Sequence, residues 1–100
     1  MVKHIVMIKL KEFDKAEEKR RQAENFKRML EDLVGKVPDL QAMEVGLNFN
    51  PKPAAYDLVL ISNLKDKEGL DNYRVHPDHV KVLEVLKEIM DKTAVVDYEL

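Results

Sequence analysis

The stretch VKHIVMIKL, residues 2–10, decides how the chain folds because its side chains alternate between two faces. One face carries His4, Val6, Ile8 and Leu10, and the other carries Lys3, Ile5, Met7 and Lys9. A repeat of two residues is typical of a β-strand. The strand therefore places the ring of His4 on the same face as three aliphatic side chains.

The composition is that of an ordinary globular protein, with 45% hydrophobic and 36% charged residues among 100. A chain of this length buries roughly 65% of its unfolded surface, and we expect one domain over residues 1–100. The 17 basic and 19 acidic residues give a net charge of -2, which argues against binding nucleic acid or membranes through bulk charge. With no cysteine, disulfides, thiolate nucleophiles and cysteine zinc sites are excluded.

The first apolar run contains basic residues and lacks a small-residue cleavage site, so we interpret it as a strand rather than a signal peptide. No apolar run in the sequence has the length that a bilayer span requires. We therefore expect a cytoplasmic protein.

A helix is predicted to begin at Asp14, with that carboxylate as the cap and Glu17 supporting the first turn. Gly35 and Pro38 are typical of the end of such a helix. Its apolar stripe consists of Ala23, Phe26, Met29, Leu30, Leu33 and Val37.

Alternation over residues 43–49 and an apolar run over 54–64 predict an antiparallel hairpin, joined by the turn-rich NPKP. Residues 66–75 form a short helical segment that must break before Pro77, which then begins a second helix. TAVVDYEL, residues 93–100, is predicted to be the closing strand. The second helix has an apolar stripe of His79, Val82, Leu83, Leu86 and either Ile89 or Met90.

The predicted order β-α-β-β-α-β indicates an α+β, ferredoxin-like protomer with an antiparallel sheet of strand order 4-1-3-2. Helices would cover one face of this sheet only. The other face would then leave a large apolar patch in water, so we expect a homodimer that packs sheet against sheet. That patch is predicted to consist of Ile5, Met7, Val59, Ile61 and Val95.

YRVHPDHV, residues 73–80, contains the most reactive side chains. His76 belongs to the corner before the proline, whereas His79 faces inward. Tyr73 and His79 are then expected to meet His4 in a cavity between sheet and helices, which is the usual form of a ligand site. The aliphatic and aromatic lining of that cavity is predicted to include Val6, Ile8, Phe26, Leu30, Val82 and Leu86.

Each histidine also has a structural interpretation, since His76 can cap a helix while His4 and His79 can be core residues. A zinc site is disfavoured because His76 lies outside the regular helix and no carboxylate is an obvious supporting partner. We expect neither metal nor cofactor. Acid–base chemistry near neutral pH and simple binding of a small molecule both remain open. A nucleophilic triad is not expected, because the single serine, Ser62, is predicted to lie away from the histidines.

VKHIVMIKLK at the start, YDLVLISNL in the third strand, YRVHPDHV and the final DYEL together resemble the stress-responsive α/β-barrel (Dabb) family. The resemblance runs along the whole chain. Its most specific part is the His-Pro-x-His unit with a tyrosine three residues before it. It implies a ferredoxin-like protomer that pairs with a second copy to form a dimeric α+β barrel, and it implies no assigned reaction for most members.

Within that family, the plant olivetolic acid cyclase type performs an aldol condensation without a cofactor, using a histidine base and a tyrosine partner. The resemblance places these roles on His79 and Tyr73, and a pocket histidine on His4. A further pocket histidine of the cyclase is replaced here by Leu58, which implies a drier pocket. Leu58 and His76 complete the predicted lining.

The sequence thus predicts a homodimer with a mostly aliphatic cavity for a small apolar or aromatic molecule. Two alternatives stand beside this prediction. One is a cofactor-independent, cyclase-like lyase with His79 as general base and Tyr73 as its partner. The other is a purely structural, stress-protective dimer.

Overall fold

The computed structural model describes residues 1–100 as four strands and three helices. In chain order these are β1 (Val2–Leu10), α1 (Ala16–Glu31), β2 (Leu40–Leu47), β3 (Leu58–Leu64), α2 (Lys67–Val75), α3 (Pro77–Ile89) and β4 (Met90–Glu99). The strands form one antiparallel sheet in the order β2-β3-β1-β4, with β1 inside it. The predicted ferredoxin-like fold and strand order are confirmed.

The break between α2 and α3 follows from local chemistry at residues 76–78. Pro77 is the first residue of α3, where its missing N–H is no loss. His76 is extended and caps α3, with Nδ1 accepting a hydrogen bond from the Asp78 N–H at 3.2 Å. The α2 helix begins in the same manner, since Asp66 accepts a hydrogen bond from the Gly69 N–H at 2.8 Å. These two caps fix where the polar end of each helix lies.

The start and end of α1 differ from the prediction. Asp14 is not the cap: the helix begins at Ala16, and Lys15 precedes it without a side-chain hydrogen bond. The helix ends at Glu31, so Leu33 and Val37 are buried in the connection that follows rather than on the helix. Gly35 lies in that connection with a positive φ of 94°, which favours glycine.

The register of β4 corrects one predicted face. Val95 pairs with Val6 and therefore lies on the helix-covered face, whereas Val96 pairs with Ile5 on the open face. Because strand side chains alternate, a shift of one residue exchanges the two faces. The predicted position of Val95 was wrong by this one residue, and β4 begins three residues earlier than expected, at Met90.

The open face of the sheet carries exposed apolar side chains at the places where its central strands meet. Met7 is 42% exposed and Val96 is 60% exposed, while Ile5, Val59 and Ile61 are half-buried. The opposite face packs against the helices and holds the core. None of the three helices has the length and apolar composition needed to cross a bilayer.

Candidate functional site

A cavity of about 260 Å³ lies between the helix-covered face of the sheet and all three helices. Its polar lining is small and consists of His4, Tyr73, Arg74, His79 and Thr93. The six predicted apolar residues, Val6, Ile8, Phe26, Leu30, Val82 and Leu86, are all in the lining. Leu60, Leu83 and Val95 also line it.

Two residues predicted for this lining lie elsewhere. Leu58 pairs with Ile8, at the end of β3 away from His4, and is buried in the core outside the cavity. Leu60, opposite Val6, lines the cavity from β3 instead. His76 is also outside the lining, because its ring turns back to cap α3.

His79 is a neutral ring whose tautomer is set by the backbone. Its Nδ1 lies 3.2 Å from the carbonyl oxygen of Arg74, and a carbonyl can only accept, so Nδ1 carries the hydrogen. The Nε2 lone pair is then free. Burial lowers the pKa of His79, and electrostatic interactions with His4, Arg74 and His76 lower it further, against the opposing hydrogen bond to the Arg74 backbone. The ring therefore suits the role of a proton acceptor near pH 7.

Tyr73 lies between the two imidazoles of the cavity. Its ring centroid is 4.1 Å from that of His79 and 6.2 Å from that of His4. No protein group forms a hydrogen bond with its hydroxyl. Every fully buried side-chain oxygen or nitrogen has a hydrogen-bond partner. The Tyr73 hydroxyl is therefore accessible, and it faces the cavity that the residue lines. Burial raises the pKa of Tyr73 above its ordinary range. The phenol thus stays protonated and can donate a hydrogen bond.

Asp97 and Arg74 complete the polar end of the cavity, and the sequence analysis missed both. Asp97 Oδ1 lies 2.5 Å from His4 Nδ1, and Arg74 donates to Asp97 Oδ2 at 2.9 Å. Asp97 is directly opposite His4 in the sheet. The alternation of β4 contained this signal, but the one-residue error that misplaced Val95 also hid Asp97.

Ser62 corrects another expectation, because it pairs with His4 and so lies beside a histidine. Its hydroxyl donates to the His4 carbonyl oxygen at 3.2 Å and is fully buried. The hydroxyl is therefore engaged with the backbone of β1. No group of three histidine or acidic side chains converges in an arrangement that would hold a metal ion.

At the end formed by His4, Tyr73 and His79, the cavity therefore presents three polar atoms without a protein partner among apolar walls. They are the Nε2 atoms of His4 and His79 and the hydroxyl of Tyr73. A small molecule could pack against the aliphatic walls and exchange hydrogen bonds at this one end.

Known proteins resemble this chain in sequence or in fold. An uncharacterized protein of Streptomyces coelicolor is 31% identical over 99% of both chains. A dimeric protein of unknown function from Bacteroides fragilis, with a ferredoxin-like fold, is 36% identical, has a TM-score of 0.89 and matches 99% of this chain and 95% of its own. A hydroxynitrile lyase of Passiflora edulis is 16% identical, with a TM-score of 0.82 over 99% of this chain and 92% of its own, and shows a likeness of fold alone.

A family model matches almost the full length of the chain, from residue 2 to residue 100. It describes the Stress responsive A/B Barrel Domain, or Dabb. The match includes the central strand, the helix break at Pro77 and the closing strand that brings Asp97 to His4. The chain belongs to the Dabb family.

Proposed function

We propose that the protein is a homodimer in which each protomer binds a small apolar or aromatic molecule in the cavity between sheet and helices. The observation that carries this proposal is the set of three unpartnered polar atoms among apolar walls. Buried polar groups in proteins are normally hydrogen-bonded. Groups left free at one end of a cavity are therefore available to a ligand.

The dimer is supported by the open face of the sheet. Met7 and Val96 are exposed there beside three half-buried aliphatic side chains, and a second copy could cover the patch through the same surface. The protein from Bacteroides fragilis, at 36% identity, is dimeric. Pairing through the sheet would leave the cavity on the helix side of each protomer unchanged.

Binding is tested by following methyl and amide NMR signals while toluene is added to the protein. We expect saturable shifts at Val82, Val95 and Tyr73. Leu86→Phe adds volume inside the cavity and should weaken the binding, whereas Val80→Phe, on the exposed side of α3, should not. Shifts scattered over the surface, or equal effects of both variants, would contradict the proposed site.

A second candidate function is cofactor-independent proton abstraction next to a carbonyl group, favoured by the neutral ring of His79. In this reaction Nε2 of His79 takes the proton from carbon, and the carbon–hydrogen electron pair moves toward the carbonyl oxygen. The Tyr73 hydroxyl donates a hydrogen bond to that oxygen as its negative charge develops. The resulting enolate is the nucleophile that an aldol-type reaction requires.

Deuterium exchange into the methyl group of acetophenone tests this chemistry directly. We expect deuterium exchange faster than in buffer alone. His79→Gln should reduce it about a hundredfold or more, because a general base typically contributes a factor of about 10²–10⁴. A protein that binds toluene but gives no exchange would be a binding protein. If the protein neither binds toluene nor catalyses deuterium exchange, the result would favour the purely structural dimer.

A further inference from the structure

We infer that Asp97 is a positioning residue that fixes the tautomer of His4, so that the cavity selects small aromatic molecules whose hydroxyl group donates a hydrogen bond to His4 Nε2. The selection of ligand rests on the proposed binding function. The positioning of His4 stands on the geometry of this chain alone. The two parts are therefore tested separately.

A side-chain hydrogen bond joins β1 to β4 at His4 and Asp97. Asp97 Oδ1 lies 2.5 Å from His4 Nδ1, and an ionised carboxylate can only accept. Nδ1 must therefore carry the hydrogen. In the neutral ring the remaining nitrogen, Nε2, keeps its lone pair. It has no protein partner, and the ring lines the cavity with its side chain 13% exposed.

Arg74 ties the two imidazoles together. Its guanidinium holds the other oxygen of Asp97 at 2.9 Å, while its backbone carbonyl accepts from His79 Nδ1 at 3.2 Å. One residue thus supports the tautomers of both His4 and His79. Both rings direct an acceptor, not a donor, toward the ligand.

The consequence for a ligand follows from the two free lone pairs. A purely apolar molecule would leave His4 Nε2 without a partner, whereas a phenolic hydroxyl would supply one. A single neutral hydrogen bond contributes about 1 kcal/mol, and 1.4 kcal/mol corresponds to tenfold in affinity. A phenol should therefore bind about fivefold more tightly than a ligand of similar shape without the hydroxyl hydrogen.

Asp97→Asn tests the positioning, because Arg74 dictates how the new amide must turn. The guanidinium has donors only, so it takes the single amide oxygen and leaves the NH₂ group facing His4 Nδ1. Nδ1 must then accept, and the hydrogen moves to Nε2. The ¹⁵N chemical shifts of the ring nitrogens distinguish these two tautomers in the free protein.

We expect the wild-type ring to carry its hydrogen on Nδ1 and the Asp97→Asn ring to carry it on Nε2. Adding Arg74→Met should restore the original tautomer, because the amide can then turn its oxygen to His4. Glu99→Gln removes another carboxylate of β4, paired with Lys67 at 3.3 Å, and should change nothing. An unchanged His4 tautomer in Asp97→Asn would overturn the positioning role.

The ligand preference is tested with phenol and methoxybenzene as the two probes. Wild-type protein should prefer phenol by about fivefold, and Asp97→Asn should lose this preference while still binding methoxybenzene. If Asp97→Asn still prefers phenol to methoxybenzene, the phenol hydroxyl must donate its hydrogen bond to a group other than His4. That result would overturn the selection by His4. If neither probe binds, the proposed cavity function fails with the selection, and the tautomer measurement still decides the role of Asp97.

Discussion

The Tyr73 ring packs near the rings of His4 and His79, whereas its hydroxyl makes no hydrogen bond that would stabilise the fold. It is 1% exposed, and its hydroxyl lacks a protein partner. Tyr73→Phe should therefore change the free energy of unfolding by less than about 1 kcal/mol, while acetophenone exchange and phenol binding fall. Tyr73→Ala should cost about 3–5 kcal/mol, because it also leaves a cavity. Urea unfolding separates the two variants, and a large loss in Tyr73→Phe would show that the hydroxyl has a structural role.

His79 should make stability depend on pH in a defined direction. Burial lowers its folded-state pKa, so between that lower value and about 6.5 the unfolded chain binds more protons than the folded protein. The free energy of unfolding is then highest above about pH 6.5 and falls as the pH decreases through the lower value. His79→Gln should flatten this fall.

Urea unfolding at pH 7.5 and pH 5.5 measures the effect. His76→Gln is the matched comparison, since His76 is a helix cap outside the cavity. An identical decrease for wild type and His79→Gln would show that burial does not hold His79 in its neutral form.

At the scale of the element, α2 carries two residues of the polar end of the cavity, and its N-terminal cap therefore matters for the site. Asp66→Ala removes the hydrogen bond to the Gly69 N–H and should destabilise the protein by about 1 kcal/mol. Asp14→Ala is the matched control, because Asp14 resembles a cap in sequence but caps nothing. Thermal unfolding should separate the two, and equal effects would contradict this assignment of the caps.

The elements were predictable from local patterns, whereas parts of the site were not. Alternation in residues 2–10 located β1 and its inward face, and Pro77 located the break between α2 and α3. The bond from Asp97 to His4 depended on the register of β4, which a single residue reverses and which no local pattern determines. Arg74 gave no signal at all, since its position over Asp97 exists only once α2 packs against the sheet.

At the scale of the whole molecule, the open face of the sheet should control association. Met7→Lys places a charge in the apolar patch and should convert the dimer to a monomer at micromolar concentration. Val80→Lys makes the same change at a similarly exposed residue, 38% against 42%, on the helix side. Analytical ultracentrifugation should show a monomer only for Met7→Lys. If the dimer persists in Met7→Lys, or is lost equally in Val80→Lys, the dimer interface does not lie on the open face of the sheet.

The position of β1 between β3 and β4 also orders events during folding. Its two neighbouring strands are formed by residues 58–64 and 90–99. During synthesis on the ribosome, β1 is therefore made well before either strand with which it pairs. Long-range pairing of this kind slows folding. The His4–Asp97 bond spans 93 positions of sequence and can close only when β4 has been synthesised and docked. Until then the edge of β1 that faces β4 is unpaired and the site is not assembled.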